Sequence, residues 1–126
     1  MTPDIIRNIL AAGAGSFVGG AARYMVSLAM KSIGRGFPWA TFAVNLIGCL
    51  MIGLLWGVLN RNASEGSCLG LFLTVGLCGG FTTFSTFSKE ALVMLQSGYV
   101  WEFAAYVALS IFAGIALVAL GYLLTR

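Results

Sequence analysis

The run Gly76 to Ser88 (Gly-Leu-Cys-Gly-Gly-Phe-Thr-Thr-Phe-Ser-Thr-Phe-Ser) places three glycines, five hydroxyl side chains and three phenyl rings inside an otherwise apolar segment. Hydroxyls donate and accept hydrogen bonds, and a phenyl ring presents a positive edge because of its quadrupole. That composition is wrong for a passive span and marks a functional centre. Covalent catalysis is a poor match. The chain has no histidine, so its serines and threonines have no evident base.

Three other places carry polar groups where apolar ones would be ordinary. Arg23 stands in a pattern with Gly15 and Gly19 at four-residue spacing, which puts all three on one helix face. A guanidinium well inside a membrane span faces the bundle interior or water, or else snorkels to the headgroups, and position alone leaves both open. Thr41, Asn45 and Gly48 also share a side, and Asn45 is either an interhelical hydrogen-bonding contact or a donor on a polar path. Tyr106, Ser110 and Gly114 form a third line. Phe84 and Phe87 are three apart and stack along one face, with Ser85 and Ser88 in the row beside them. Two phenylalanines at that spacing often serve core packing, but hydroxyls this dense argue against a purely lipid-facing surface.

The elements that must position these groups are membrane helices. Of the 126 residues, 60% are hydrophobic and only 9% charged, against roughly 25% charged in an ordinary soluble domain, and the mean hydropathy is +0.96. Spans of about 20 apolar residues give four helices, read as a single four-helix transmembrane domain over residues 1–126 with no soluble domain. A bundle this small scarcely encloses an aqueous path alone, which points to self-association. The net charge of +3 is scattered along the chain and forms no nucleic-acid patch. Three isolated cysteines, Cys49, Cys68 and Cys78, argue against a disulfide framework or a transition-metal site.

The first helix is expected from Ile5 to Lys31. It is too long for a signal peptide, and Arg23 interrupts it where a cleavable segment should end. A turn over Ser32 to Phe37 leads to a second helix from Pro38 to Asn60, with Trp39 at the interface; Gly53 and Gly57 are packing residues. The polar loop Arg61 to Gly66 precedes a third helix starting near Ser67. Glycines weaken a backbone that lipid cannot satisfy, so Gly76 to Ser88 is expected to break this helix near mid-membrane. Lys89 and Glu90 follow, then a turn at Ser97 and Gly98. The fourth helix, after Tyr99 and Trp101, runs to Thr125. With four spans, Arg7, Arg61 and Arg126 share one side and Lys31 and Arg35 the other, joined by Lys89 if it lies near that surface, three against two or three. The positive-inside rule needs an asymmetry, and none is visible. Insertion in both directions follows, with an antiparallel homodimer forming an inverted repeat from two copies.

The motifs Gly-Gly-Ala-Ala-Arg-Tyr (Gly19 to Tyr24), Thr-Phe-Ala-Val-Asn-Leu-Ile-Gly (Thr41 to Gly48) and Gly-Leu-Cys-Gly-Gly-Phe-Thr-Thr-Phe-Ser-Thr-Phe-Ser-Lys-Glu (Gly76 to Glu90) resemble the Fluc family of bacterial fluoride channels, also called CrcB proteins. The match in length, helix count and motif order covers essentially the whole chain. The Thr-Thr-Phe-Ser-Thr-Phe run is the specific part. The resemblance implies a dual-topology dimer in the inner membrane, two passive fluoride pores and a structural sodium ion at the dimer interface. On that likeness Phe84 and Phe87 are the pore phenylalanines, Asn45 the amide donor and Arg23 the vestibule arginine. Gly79 and Thr82 offer backbone carbonyls to sodium. Thr41, Ser85, Thr86 and Glu90 belong to the pore, and Tyr106 and Ser110 to a polar track. Gly114 and Val118 depart from the family, standing where some members carry further hydroxyls.

Two other classes compete. A small multidrug exporter has the same size, but proton-coupled export wants a carboxylate deep in an early span, and Asp4 lies at the very start. A non-transporting assembly subunit would use the glycines and hydroxyls for packing alone.

Overall fold

The computed structural model describes residues 2–34 and 36–126. Arg35, counted above in the first turn and the charge comparison, lies outside the described residues. Among the described residues, four helices are long and apolar enough to cross a membrane: α1 (Pro3–Ala29), α2 (Trp39–Arg61), α3 (Cys68–Gln96) and α4 (Val100–Thr125).

Their ends follow local chemistry. The Thr2 hydroxyl accepts from the Ile5 amide at 3.3 Å. Pro3 occupies the first helical position and Asp4 the first turn, where a missing N–H costs nothing and a negative charge meets the positive helix end. Pro38 immediately precedes α2 as its cap, one residue outside the expected first turn. Ser67 starts α3, its hydroxyl accepting from the Gly70 amide at 3.0 Å. Gly98, at φ 82°, turns the chain into α4, a backbone angle that glycine adopts without a Cβ clash.

Two helix pairs make the bundle. The first half of α3 lies along α1, and α2 lies along α4. Close approach in the first pair requires glycine. A Cβ on Gly15 would strike the Phe72 carbonyl oxygen and come within 2.8 Å of Gly76 Cα, and one on Gly19 would strike the Leu77 carbonyl oxygen. Small residues let backbones pack where lipid supplies no hydrophobic drive between helices. Gly53 does the same for α2 against the Val118 carbonyl of α4. The second half of α3 turns to α4 instead, and Phe87, Ala91 and Met94 bury against Tyr106. Elsewhere side chains such as Leu10, Phe17, Trp101 and Phe112 face outward, as lipid-solvated helices allow.

The expectation of a broken third helix needs correction: α3 crosses as one span of 29 residues and bends only slightly. It does contain two local irregularities. Phe72–Cys78 is wound as a π-helix, a form usually seen as single turns and frequent at functional sites. Thr82 (φ −85°, ψ 159°) and Thr83 (φ −149°, ψ 119°) then leave helical geometry before Phe84 resumes it. A two-residue extended step can pass without a large bend because other groups replace the lost helical hydrogen bonds.

Candidate functional site

Those replacements build the site. An unbroken helix would give the Thr83 amide to the Gly79 carbonyl; here it donates to Asn45 Oδ1 at 2.7 Å, while Asn45 Nδ2 donates back to the Thr83 carbonyl at 3.1 Å. Asn45 thus mimics a strand partner for a single residue, and its second N–H remains uncommitted by these bonds. The Gly80 carbonyl accepts from Arg23 Nε at 3.2 Å. The Thr82 hydroxyl donates to the Cys78 carbonyl at 3.0 Å. The Thr83 hydroxyl caps the resumed helix, accepting from the Thr86 amide at 3.2 Å. Buried main-chain groups need such partners, and a membrane span cannot draw them from lipid.

Beside the step lies a cavity of about 380 Å³ whose lining includes Asn45, Thr82, Thr83, Phe84, Phe87 and Ser110. Gly48, Cys49 and Ile52 of α2, and Thr74, Cys78 and Gly79 of α3, complete much of the remaining wall. Ser110 Oγ is buried without a hydrogen-bond partner among the described residues. The two phenyl rings differ. Phe87 is 9% exposed and Phe84 79%, although their centroids are only 5.9 Å apart. Phe84 stands at the open side and Phe87 at the packed side.

A second hollow of about 360 Å³ lies further along α3, lined by Thr86, Lys89, Glu90, Val93, Phe37 and Pro38 among others. Tyr106 is fully buried and touches two residues of that lining. Its hydroxyl donates to Glu90 Oε1 at 3.3 Å, and its ring centroid is 4.9 Å from that of Phe87 and 5.3 Å from that of Phe37.

The structure therefore brings Asn45, Phe84, Phe87, Ser110, Gly79 and Thr82 to one cavity, and Thr86 and Glu90 to the neighbouring hollow, with Tyr106 bonded to Glu90. Arg23 lines neither and holds the Gly80 carbonyl behind the step. Thr41 is buried and lines neither as well. Ser85 is exposed, its hydroxyl 3.4 Å from that of Thr83. The sequence reading misses Thr83 as Asn45's partner, and it misses Cys49. Cys49 is four residues after Asn45, so the helical spacing that aligned Thr41 with Asn45 was a usable signal for it.

Four apolar spans among the described residues, three of which line a cavity bearing Phe84, Phe87, Asn45 and several hydroxyl side chains, define a multi-pass membrane protein. Comparison with known proteins makes this specific. The model for the family described as CrcB-like protein, Camphor Resistance (CrcB), matches residues 10–122, and the chain belongs to that family. It is 42% identical over 123 residues to a protein of Desulfotalea psychrophila, covering 98% of this chain and 95% of the relative. It is likewise 42% identical to one of Chlorobaculum tepidum, with 97% of both chains covered. A relative from Phocaeicola vulgatus is 41% identical over 92% of this chain and 96% of its own. All three relatives are named fluoride-specific ion channel FluC. Relatives that are ion channels place the family outside the enzymes.

Proposed function

We propose that this protein is a fluoride-selective channel of the bacterial inner membrane, which lets fluoride leave the cell passively through two pores of an antiparallel homodimer. The cavity of about 380 Å³ carries the reading: Phe84, Phe87, Asn45 and Ser110 line it together, in a chain 42% identical to proteins named for fluoride. Fluoride is small, hard and strongly hydrated. A pore must supply closely set donors for the lost water yet release the ion, and larger anions must not fit. Ring edges attract an anion weakly and so do not trap it. Arg23 adds a fixed positive charge behind the step. Thr86 and Glu90 mark the route towards the second hollow, past the Phe87–Tyr106 contact.

The dimer is supported by the cavity's open side, where Phe84 is exposed, and by the even division of basic residues between the two membrane faces. Sodium is a fitting centre for such a dimer. The Gly79 carbonyl has lost the Thr83 amide to Asn45, Gly79 is exposed, and Thr82 is extended. Two copies would offer Gly79 and Thr82 carbonyls as hard oxygen donors suited to an alkali cation, supplying a structural positive charge.

Purified protein in liposomes loaded with fluoride provides the test. A fluoride electrode should record rapid efflux, and chloride-loaded vesicles should stay nearly silent. Fluoride retained as in protein-free vesicles, or chloride leaving at a comparable rate, would overturn the proposal.

A further inference from the structure

The second hollow would by itself be hostile to an anion. Its lining carries the carboxylate of Glu90, and a fixed negative charge repels another. Lys89 stands next to Glu90 in the same lining, yet the two do not pair. The Glu90 carboxylate takes a hydrogen bond from Tyr106 at 3.3 Å, and no ion pair among the described residues involves Lys89. Its ammonium is left to act on whatever enters the hollow.

The depth of Lys89 makes that placement unusual. Thr86, Lys89, Glu90, Val93 and Met94 form the stripe that α3 turns to the hollow, at steps of three and four residues that share one helix face. Lys89 comes about 10 Å before α3 ends at Gln96, at about 1.5 Å per residue. The 29 residues of that span measure about 44 Å against a hydrocarbon layer of about 30 Å. Centred, the helix overhangs by about 7 Å at each end, which leaves Lys89 just inside the apolar layer. A charge there is costly against lipid and settles where a water-filled cavity receives it. The hollow of about 360 Å³ is that cavity.

Resting on the fluoride-channel reading, we propose that Lys89 is a steering residue of the pore, whose ammonium cancels the repulsion of Glu90 and raises the local concentration of fluoride in the second hollow. Among the described lining residues the two charges sum to zero, so neutralising Lys89 leaves a net negative path and reversing it doubles that penalty. Lys31 supplies the contrast: it is exposed but lines neither cavity.

The test is fluoride-electrode efflux from proteoliposomes of neutral lipid, with a few millimolar fluoride inside and gluconate salt balanced across the membrane at about 10 mM or about 1 M, where the Debye length is about 30 Å or about 3 Å. At low salt Lys89→Gln should lose flux roughly threefold, the weight of one unit charge across about 6 Å of water. Lys89→Glu should lose roughly tenfold on the same scale, and Lys89→Arg should stay within about twofold of the wild type. At high salt all three should converge on the wild type, as a purely structural side chain would not. Lys31→Glu should match the wild type at both. Wild-type flux in Lys89→Glu at low salt, a deficit that persists undiminished at high salt, or an equal deficit in Lys31→Glu overturns this inference and leaves the channel reading standing. A silent wild type overturns the channel reading and this inference with it.

Discussion

The two halves of α3 differ both in composition, glycine-rich and uncharged before Thr82 but free of glycine and carrying Lys89 and Glu90 after Thr83, and in what they touch. Before Thr82, the helix is pressed against α1 through glycines, backbone to backbone, with little side chain between. After Thr83, it packs by side chains: Phe87, Ala91 and Met94 interlock with α4, while Phe84 is left 79% exposed beside the cavity. Glycine contacts give close, rigid positioning. Side-chain contacts leave room for a hollow. The difference teaches that the step at Thr82 and Thr83 separates backbone packing on α1 from a surface whose side chains pack on α4, with Thr74, Cys78 and Gly79 lending the cavity one edge from the first half, and that Asn45 and Arg23 stabilise the step itself.

The comparison can be broken most severely in the half packed on α1. Gly19→Val should cost at least about 3 kcal/mol, because the added carbons meet backbone that cannot rotate away. Recovery of monodisperse protein in detergent should collapse, whereas Gly13→Ala, with nothing within 4 Å of its added carbon, should behave as wild type. In the half packed on α4, Phe87→Ala should lower stability by about 3 kcal/mol through the cavity it leaves, read by thermal unfolding. Phe84→Ala, which empties no packed site within the chain, should lower the same curve less. At the step, Asn45→Leu strands the Thr83 amide and carbonyl, and should cost about 2 kcal/mol together with most of the flux. The smallest effect belongs to Arg23→Met, about 1 kcal/mol for one lost bond to the Gly80 carbonyl, accompanied by a fall in flux that is greatest at low ionic strength, where charge steering is least screened.

Much of this was legible in the sequence because membrane helices have few ways to hide polar groups. Hydropathy alone marked the spans within a few residues. The i, i+4 spacings of Gly15 with Gly19, and of Thr41 with Asn45, identified faces that do pack inward. What spacing cannot show is which backbone group a side chain will satisfy. Asn45 read as a donor to a path, yet its first duty is a two-way bond to Thr83, a residue 38 positions away. The glycines after Gly76 suggested a full break, but the chain took only two residues out of the helix and recovered the lost bonds from Asn45 and Arg23, so the span stayed nearly straight. The π-helical winding of Phe72–Cys78 went unread, because hydrophobic periodicity does not distinguish it from an α-helix. Phe84 and Phe87 look equivalent on a helical wheel, and only the position of α4 makes one a core residue and the other a wall of the cavity.

The separation of backbone packing from the side-chain surface is tested most directly by fluoride-electrode efflux from liposomes containing Phe84→Ile. Isoleucine keeps bulk and hydrophobicity but removes the ring edge. The account predicts protein that elutes and melts as wild type, with fluoride efflux suppressed at least tenfold, a barrier increase of about 1.4 kcal/mol. Wild-type efflux from that folded variant would contradict it.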